Sequence, residues 1–128
     1  MKPRLLLVVV VGLLASVVTA HGHHSFAATY QEDKTISVEG KIVQFQFRNP
    51  HSFVQILDSK GVRWALEWGG AAQLGGQGVT RESLKAGDVI TVTGNPGRNA
   101  SDNRVRMKTL YRKSDGFGWG TKAGEGVD

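Results

Sequence analysis

Four histidines carry most of the chemistry open to this chain, and three of them sit in the stretch HGHHSF, at His21, His23 and His24. A cut between Ala20 and His21 would leave a free α-amine with histidines at positions one and three. The amine, two deprotonated backbone amides and the His23 imidazole can then close a planar set of nitrogens. Tetragonal nitrogen ligation suits Cu(II) and Ni(II), and Cu(II) heads the divalent affinity series. Neutral imidazole is plentiful near pH 7, because unperturbed histidine titrates near ~6.5. A second geometry pairs the amine and imidazole of His21 and completes the set with His24 or His51. It would couple the terminus to the rest of the molecule, which the first would not. The plainer alternative is a histidine-rich terminus that binds copper in a test tube without that being its role.

His51 is the fourth histidine, directly after Asn49 and Pro50 in the stretch NPH. Its functional reading is a fixed ligand or hydrogen-bond donor facing a pocket, with Asn49 and Glu67 as companions in a ligand-binding site. Its structural reading is a histidine that bonds the backbone and locks a loop whose turn Asn49 and Pro50 set. Glu67 follows the same division: a general base on one side, a solvated or arginine-paired carboxylate on the other. The absence of cysteine removes disulfides and thiolate sites, leaving His, Asp, Glu and the free N-terminus as ligands. There is no HExxH, no G-x-S-x-G elbow and no glycine-rich phosphate loop in an α/β context. No catalytic residues are assigned, and binding is the expectation. A hydrolase would need a pocket that sets His51 beside Glu67 and a bound metal.

Residues 1–20 read as a signal peptide, with Lys2 and Arg4 ahead of an apolar run from Leu5 to Val18. Val18 and Ala20 supply the small residues a peptidase needs before His21. The run is shorter than the ~20 residues that cross a hydrocarbon core, so no stable membrane insertion is expected after cleavage. The expected location is the periplasm or the exterior. Loss of residues 1–20 from the 128 leaves 108, one compact domain. It also leaves 14 basic against 11 acidic side chains, a net of +3. That charge is weak support for nucleic acid, and export makes nucleic acid an unsuitable client.

Period two then organises the chain. Residues 21–34 read as a polar, histidine-rich lead-in and 35–113 as the domain. TISVEGKIVQFQFRNPH puts Ile36, Val38 and Ile42 on one parity and Val43, Phe45 and Phe47 on the other, so the first strand carries a bulge or a sharp coil at the Ile42–Val43 step, beside Gly40. Pro50 stops it. SFVQIL, VRWALEW, VITVTG and RVRMKTLYR supply four more strands, with Val62, Trp64, Leu66 and Trp68 inward on the third. GGAAQLGGQGV allows at most one weak helical turn. TRESLKAGD (80–88) fits a short helical turn capped by Thr80 and ended by Gly87. The pattern predicts an all-β fold, a small five-stranded OB-like Greek-key barrel whose bent first strand serves both halves. An open β-sandwich is the alternative.

Four motifs together, HHSF, NPH, W-x-x-E and SLKAGDVITVTG, resemble the exported bacterial family catalogued as DUF6152. The likeness spans residues 23 to about 110 and implies an exported β-barrel without bringing an activity. This chain departs from the pattern in having HGHHSF after the cut and a more glycine-rich segment between the third and fourth strands.

The remaining features read as structural. Arg104, Arg106, Lys108 and Arg112 share one parity of the fifth strand, opposite Val105, Met107, Thr109 and Tyr111, as a solvated outer face. Residues 114–128 read as a flexible glycine-rich tail that leaves Phe117 and Trp119 loose. The expected function is therefore a small exported binding module holding a copper-class metal through its N-terminal histidines, with His51 available. The alternative is a metal-independent OB module, an accessory subunit that recognises a periplasmic small molecule or protein.

Overall fold

The bend in the first strand organises everything that follows it. In the computed structural model, which describes residues 26–126, strand β1 runs Ile36–Gln46 with Val38, Gly40 and Ile42 buried. Its pairing with β2 (Phe53–Leu57) slips between Ile42 and Gln44. The extra residue is Val43, where the apolar parity changes, so the bulge re-aims the strand as its sequence requires. Gly40 permits the bend: a Cβ there would stand 2.5 Å from the Leu57 carbonyl oxygen. One half of β1 pairs with β2 through Lys41–Gln46, the other with β4 (Val89–Pro96) through Ile36–Lys41.

The circuit closes through β3 (Arg63–Glu67), antiparallel to β2, and β5 (Arg104–Arg112), antiparallel to β4. A parallel pairing of Ala65–Glu67 with Arg104–Arg106 joins β3 to β5. This is a closed five-stranded, OB-like barrel, and a sixth strand, β6 (Phe117–Trp119), lies against the end of β5. Its interior is packed by Val54, Ile56, Leu66, Val92, Val105 and Met107, all fully enclosed. Each such side chain removed from water contributes about 1.5–3 kcal/mol. Leu66 on β3 and Trp68 just past it point inward as expected, Trp64 is partly buried against the same core, and its indole N–H donates to Asp58 Oδ2 at 3.1 Å, locking the 58–61 turn.

Four expectations are corrected by the structure. The helix between β3 and β4 forms at Ala71–Gly76, inside the glycine-rich segment, because Leu74 is drawn wholly into the core. Residues 80–87 are turns instead: Thr80 Oγ1 accepts from the Glu82 N–H, but no helix continues, and Gly87 ends the segment at φ +94. Strand β5 carries a bulge of its own at Lys108, since Thr109 pairs with Thr93 and Met107 with Gly94. Past it Leu110 points in and Tyr111 is 51% exposed, reversing the expected parity. The third correction concerns the arginines, which are half-buried and paired. Arg104 meets Glu67 at 3.6 Å, Arg106 meets Glu32 at 3.4 Å, and Arg112 meets Asp88 and Asp115 at 2.8 Å each. Only Lys108 of that set is exposed.

The fourth correction is the tail. Phe117–Trp119 pairs with Leu110–Arg112, and Trp119 is 1% exposed. Its ring meets Trp68 edge-on at 5.1 Å and its indole N–H donates to Gln77 Oε1 at 2.9 Å. The lead-in is docked as well. Tyr30 is 1% exposed and bridges to Gly97, while Asn95 Nδ2 donates to the carbonyls of Glu32 and Lys34. Among the described residues no helix is long and apolar enough to cross a membrane.

Candidate functional site: a histidine-rimmed cleft beside the lead-in

The loop between β1 and β2 is held from three sides. Ser52, fully buried, exchanges hydrogen bonds with the Arg48 backbone at 3.2 Å and pairs with Gly69 and Trp68 through its own backbone. Asn49 Oδ1 accepts from the Ala72 N–H at 3.1 Å, and the Arg48 carbonyl accepts from the Ala71 N–H at 2.9 Å. Loop and helix therefore satisfy one another's backbone groups. The Asn49–Pro50 peptide is cis. Gly70 is required at this junction, because a Cβ would stand 2.5 Å from the Pro50 carbonyl oxygen.

These contacts release His51 from the locking role. Its carbonyl accepts from Arg48 Nε at 3.4 Å, yet its imidazole makes no hydrogen bond with any described residue. The ring is half-buried and stacks, tilted by 50°, against Phe26 at 5.4 Å. Both ring nitrogens thus remain available to a ligand or to water. That is what a metal-binding or proton-donating histidine needs, and the locking falls to Ser52 and Asn49.

Glu67 enters the same region from β3, with its side chain 13% exposed and Arg104 at 3.6 Å. Behind them lies Tyr30, over whose ring the Arg104 guanidinium sits at 5.6 Å. Burial pushes the Tyr30 phenol from 10.0 up to about 12; the Glu67 charge adds to the shift and Arg104 opposes it. Its hydroxyl makes no hydrogen bond of normal geometry, although Glu67 and Arg104 stand close enough to act on its ionisation. Glu67 is thus the arginine-paired carboxylate of the two readings, its charge answered before any ligand arrives.

His51 and Glu67 form the shared wall of two adjoining depressions. One is bounded also by Phe26, Trp68, Gln73 and Arg106; the other by Arg48, Asn49 and Phe53. His51, Glu67 and Asn49 are thereby brought together. His21, His23 and His24 lie outside the described residues. Among the described residues no three His, Cys, Asp or Glu side chains are grouped to hold a metal ion. Phe26 and Arg106 were not singled out as site residues by sequence; the phenylalanine of HHSF was the available signal.

A family model described as a family of unknown function, DUF6152, matches residues 10–106. Among curated proteins nothing matches.

Proposed function

The chain belongs to the DUF6152 family, and from that premise we propose that this β-barrel is an exported module that binds a copper-class metal where its N-terminal histidines meet His51. The observation that carries the reading is the Phe26–His51 contact at 5.4 Å. His24 precedes Phe26 by two residues, so its Cα lies at most about 7 Å along the chain from that of Phe26. His21, five residues before it, lies within about 18 Å. A free amine and imidazole at His21, the His24 imidazole and the His51 imidazole, which makes no hydrogen bond with a described residue, are then all within reach of one ion. Nitrogen donors of this kind suit Cu(II). The contact favours the geometry that includes His51 over the one that uses only the amine, two amides and His23.

The test uses untagged protein beginning at His21. It should take up one Cu(II), and one extra N-terminal residue should weaken binding at least tenfold. His51→Ala should alter the electron paramagnetic resonance spectrum of the bound ion. Equal affinity and an unchanged spectrum with a blocked terminus and His51→Ala would end the proposal.

The two depressions that share His51 and Glu67 favour a second reading, a metal-independent module for a small molecule or protein partner. In that case removal of His21–His24 leaves ligand binding intact and His51→Ala abolishes it.

A further inference from the structure

We infer that the cleft beside His51 takes a small monocarboxylate, with the indole N–H of Trp68 as its hydrogen-bond donor and the positive rim around Arg48 answering its charge. The inference rests on the metal-independent reading above and names the ligand class for it.

The three tryptophans of the chain differ in how their indoles are satisfied. The Trp64 N–H donates to Asp58 Oδ2 at 3.1 Å, and the Trp119 N–H donates to Gln77 Oε1 at 2.9 Å. Trp68 is 1% exposed, yet its N–H makes no hydrogen bond. Its ring neighbours, Trp119 at 5.1 Å and Phe45 at 6.1 Å, offer no oxygen or nitrogen acceptor. Buried donors are almost always partnered, so one left over calls for an explanation. Trp68 forms part of the cleft wall, together with the buried Gly69 and Gly70. The other buried side-chain polar atom without a partner among the described residues is the Tyr30 hydroxyl. It stands behind Glu67, which lines the same cleft. Both unanswered groups therefore border one cleft, and an acceptor brought by a ligand satisfies the indole.

Charge selects among acceptors. Glu67 is answered by Arg104 at 3.6 Å, and Arg106 meets Glu32 at 3.4 Å. Arg48 lies exposed at the rim, with its guanidinium over the Phe53 ring at 5.5 Å and its Nε donating to the His51 carbonyl at 3.4 Å. It forms no ion pair with a described carboxylate. Arg48, Arg104 and Arg106 against Glu67 and Glu32 leave one positive charge, which matches a single carboxylate. A charged acceptor also makes the shorter and stronger bond to an N–H donor. Phe26 and Pro50 supply apolar wall for a short alkyl group.

The experiment follows the three indole N–H resonances of metal-free protein beginning at His21, assigned by sequential NMR. Propionate should move the Trp68 signal downfield and saturably, while the Trp64 and Trp119 signals stay in place. Propionamide, which keeps the shape without the charge, should bind about fivefold more weakly or worse. Arg48→Gln, at an exposed position, should weaken propionate binding about two- to fivefold. A Trp68 signal unmoved by propionate would overturn the inference. Equal binding of propionamide would overturn the carboxylate as ligand class and leave the metal-independent reading standing. A propionate response seen only with Cu(II) present would keep the Trp68 anchor and sink the metal-independent reading instead.

Discussion

At the scale of single residues, the cleft is a place where polar groups are paired in tiers. Asn49 is committed to the helix, Glu67 to Arg104, and Ser52 to its own loop. The His51 imidazole makes no hydrogen bond with any described residue and meets the Phe26 ring instead. Tyr30 is the odd member, a buried phenol without a hydrogen bond of normal geometry. Removing an unpartnered hydroxyl costs little, since the desolvation penalty goes with it. Tyr30→Phe should therefore change the unfolding free energy at pH 7 by less than about 1 kcal/mol. The phenol holds its proton more tightly in the fold than in the unfolded chain. Stability from that difference is complete below pH 10.0 and is lost as pH rises towards about 12. The total is about 2–3 kcal/mol. Urea titrations of both proteins across this range should show the decline in the parent and a flatter profile in Tyr30→Phe. Parallel profiles would show that the phenol does not titrate with folding.

The elements show how weak local signals are overridden. Helix Ala71–Gly76 has two glycines within it and no charged residue at either end, so intrinsic propensity opposes it. It forms because Leu74 seats in the core and the 48–49 loop satisfies its first N–H groups. Strand β6 is just as unpromising alone: three residues with glycine in the middle. Trp119 anchors it against Trp68 and Gln77. Trp119→Ala should lower the unfolding free energy by about 3–5 kcal/mol, the usual cost of emptying a site of that size. Chemical denaturation gives the number directly, and a loss under about 1 kcal/mol would mean that the strand is dispensable. Gly94 marks the other constrained crossing, where any Cβ would collide with the Arg106 carbonyl, so the β4–β5 bulge tolerates no side chain there.

At the scale of the whole molecule, the barrel and its N-terminal segment are one construction. The strap of residues 26–34 crosses the end of β4, and Tyr30 is as buried as the barrel's own core residues. The proposed function depends on export, as proposed, and on where the mature polypeptide would begin. The small residues Val18 and Ala20 and the apolar run before them lead us to expect a mature start at His21. Edman sequencing of the protein recovered from its native source should read His-Gly-His-His; a start at Met1 would overturn both the cleavage and the export proposed. A start even one residue away, or a blocked end, would remove the amine–imidazole chelate of His21 and leave His51 as an isolated rim histidine.

What the sequence determined by itself was the inward face of the third strand and the step at which the first strand changes its buried face. Apolar alternation is local: Ile42 followed by Val43 changes parity within one strand, and Trp64, Leu66 and Trp68 announce their inward face without reference to any partner. It also marked His51 as the histidine to watch, because Pro50 must end a strand just before it. Only the tertiary structure decided the rest. Arg104, Arg106 and Arg112 look like a solvated stripe until Glu67, Glu32, Asp88 and Asp115 arrive from elsewhere to pair with them. The second bulge at Lys108 reverses the parity that the strand's own alternation implied, so Leu110 and not Tyr111 is buried. Phe26 reads as the start of a spacer and Trp119 as a loose end, since nothing beside either in the chain buries it. Their partners, His51 with Arg106 and Trp68 with Gln77, are brought to them by closure of the barrel, and contacts across such sequence separations leave no trace in local periodicity.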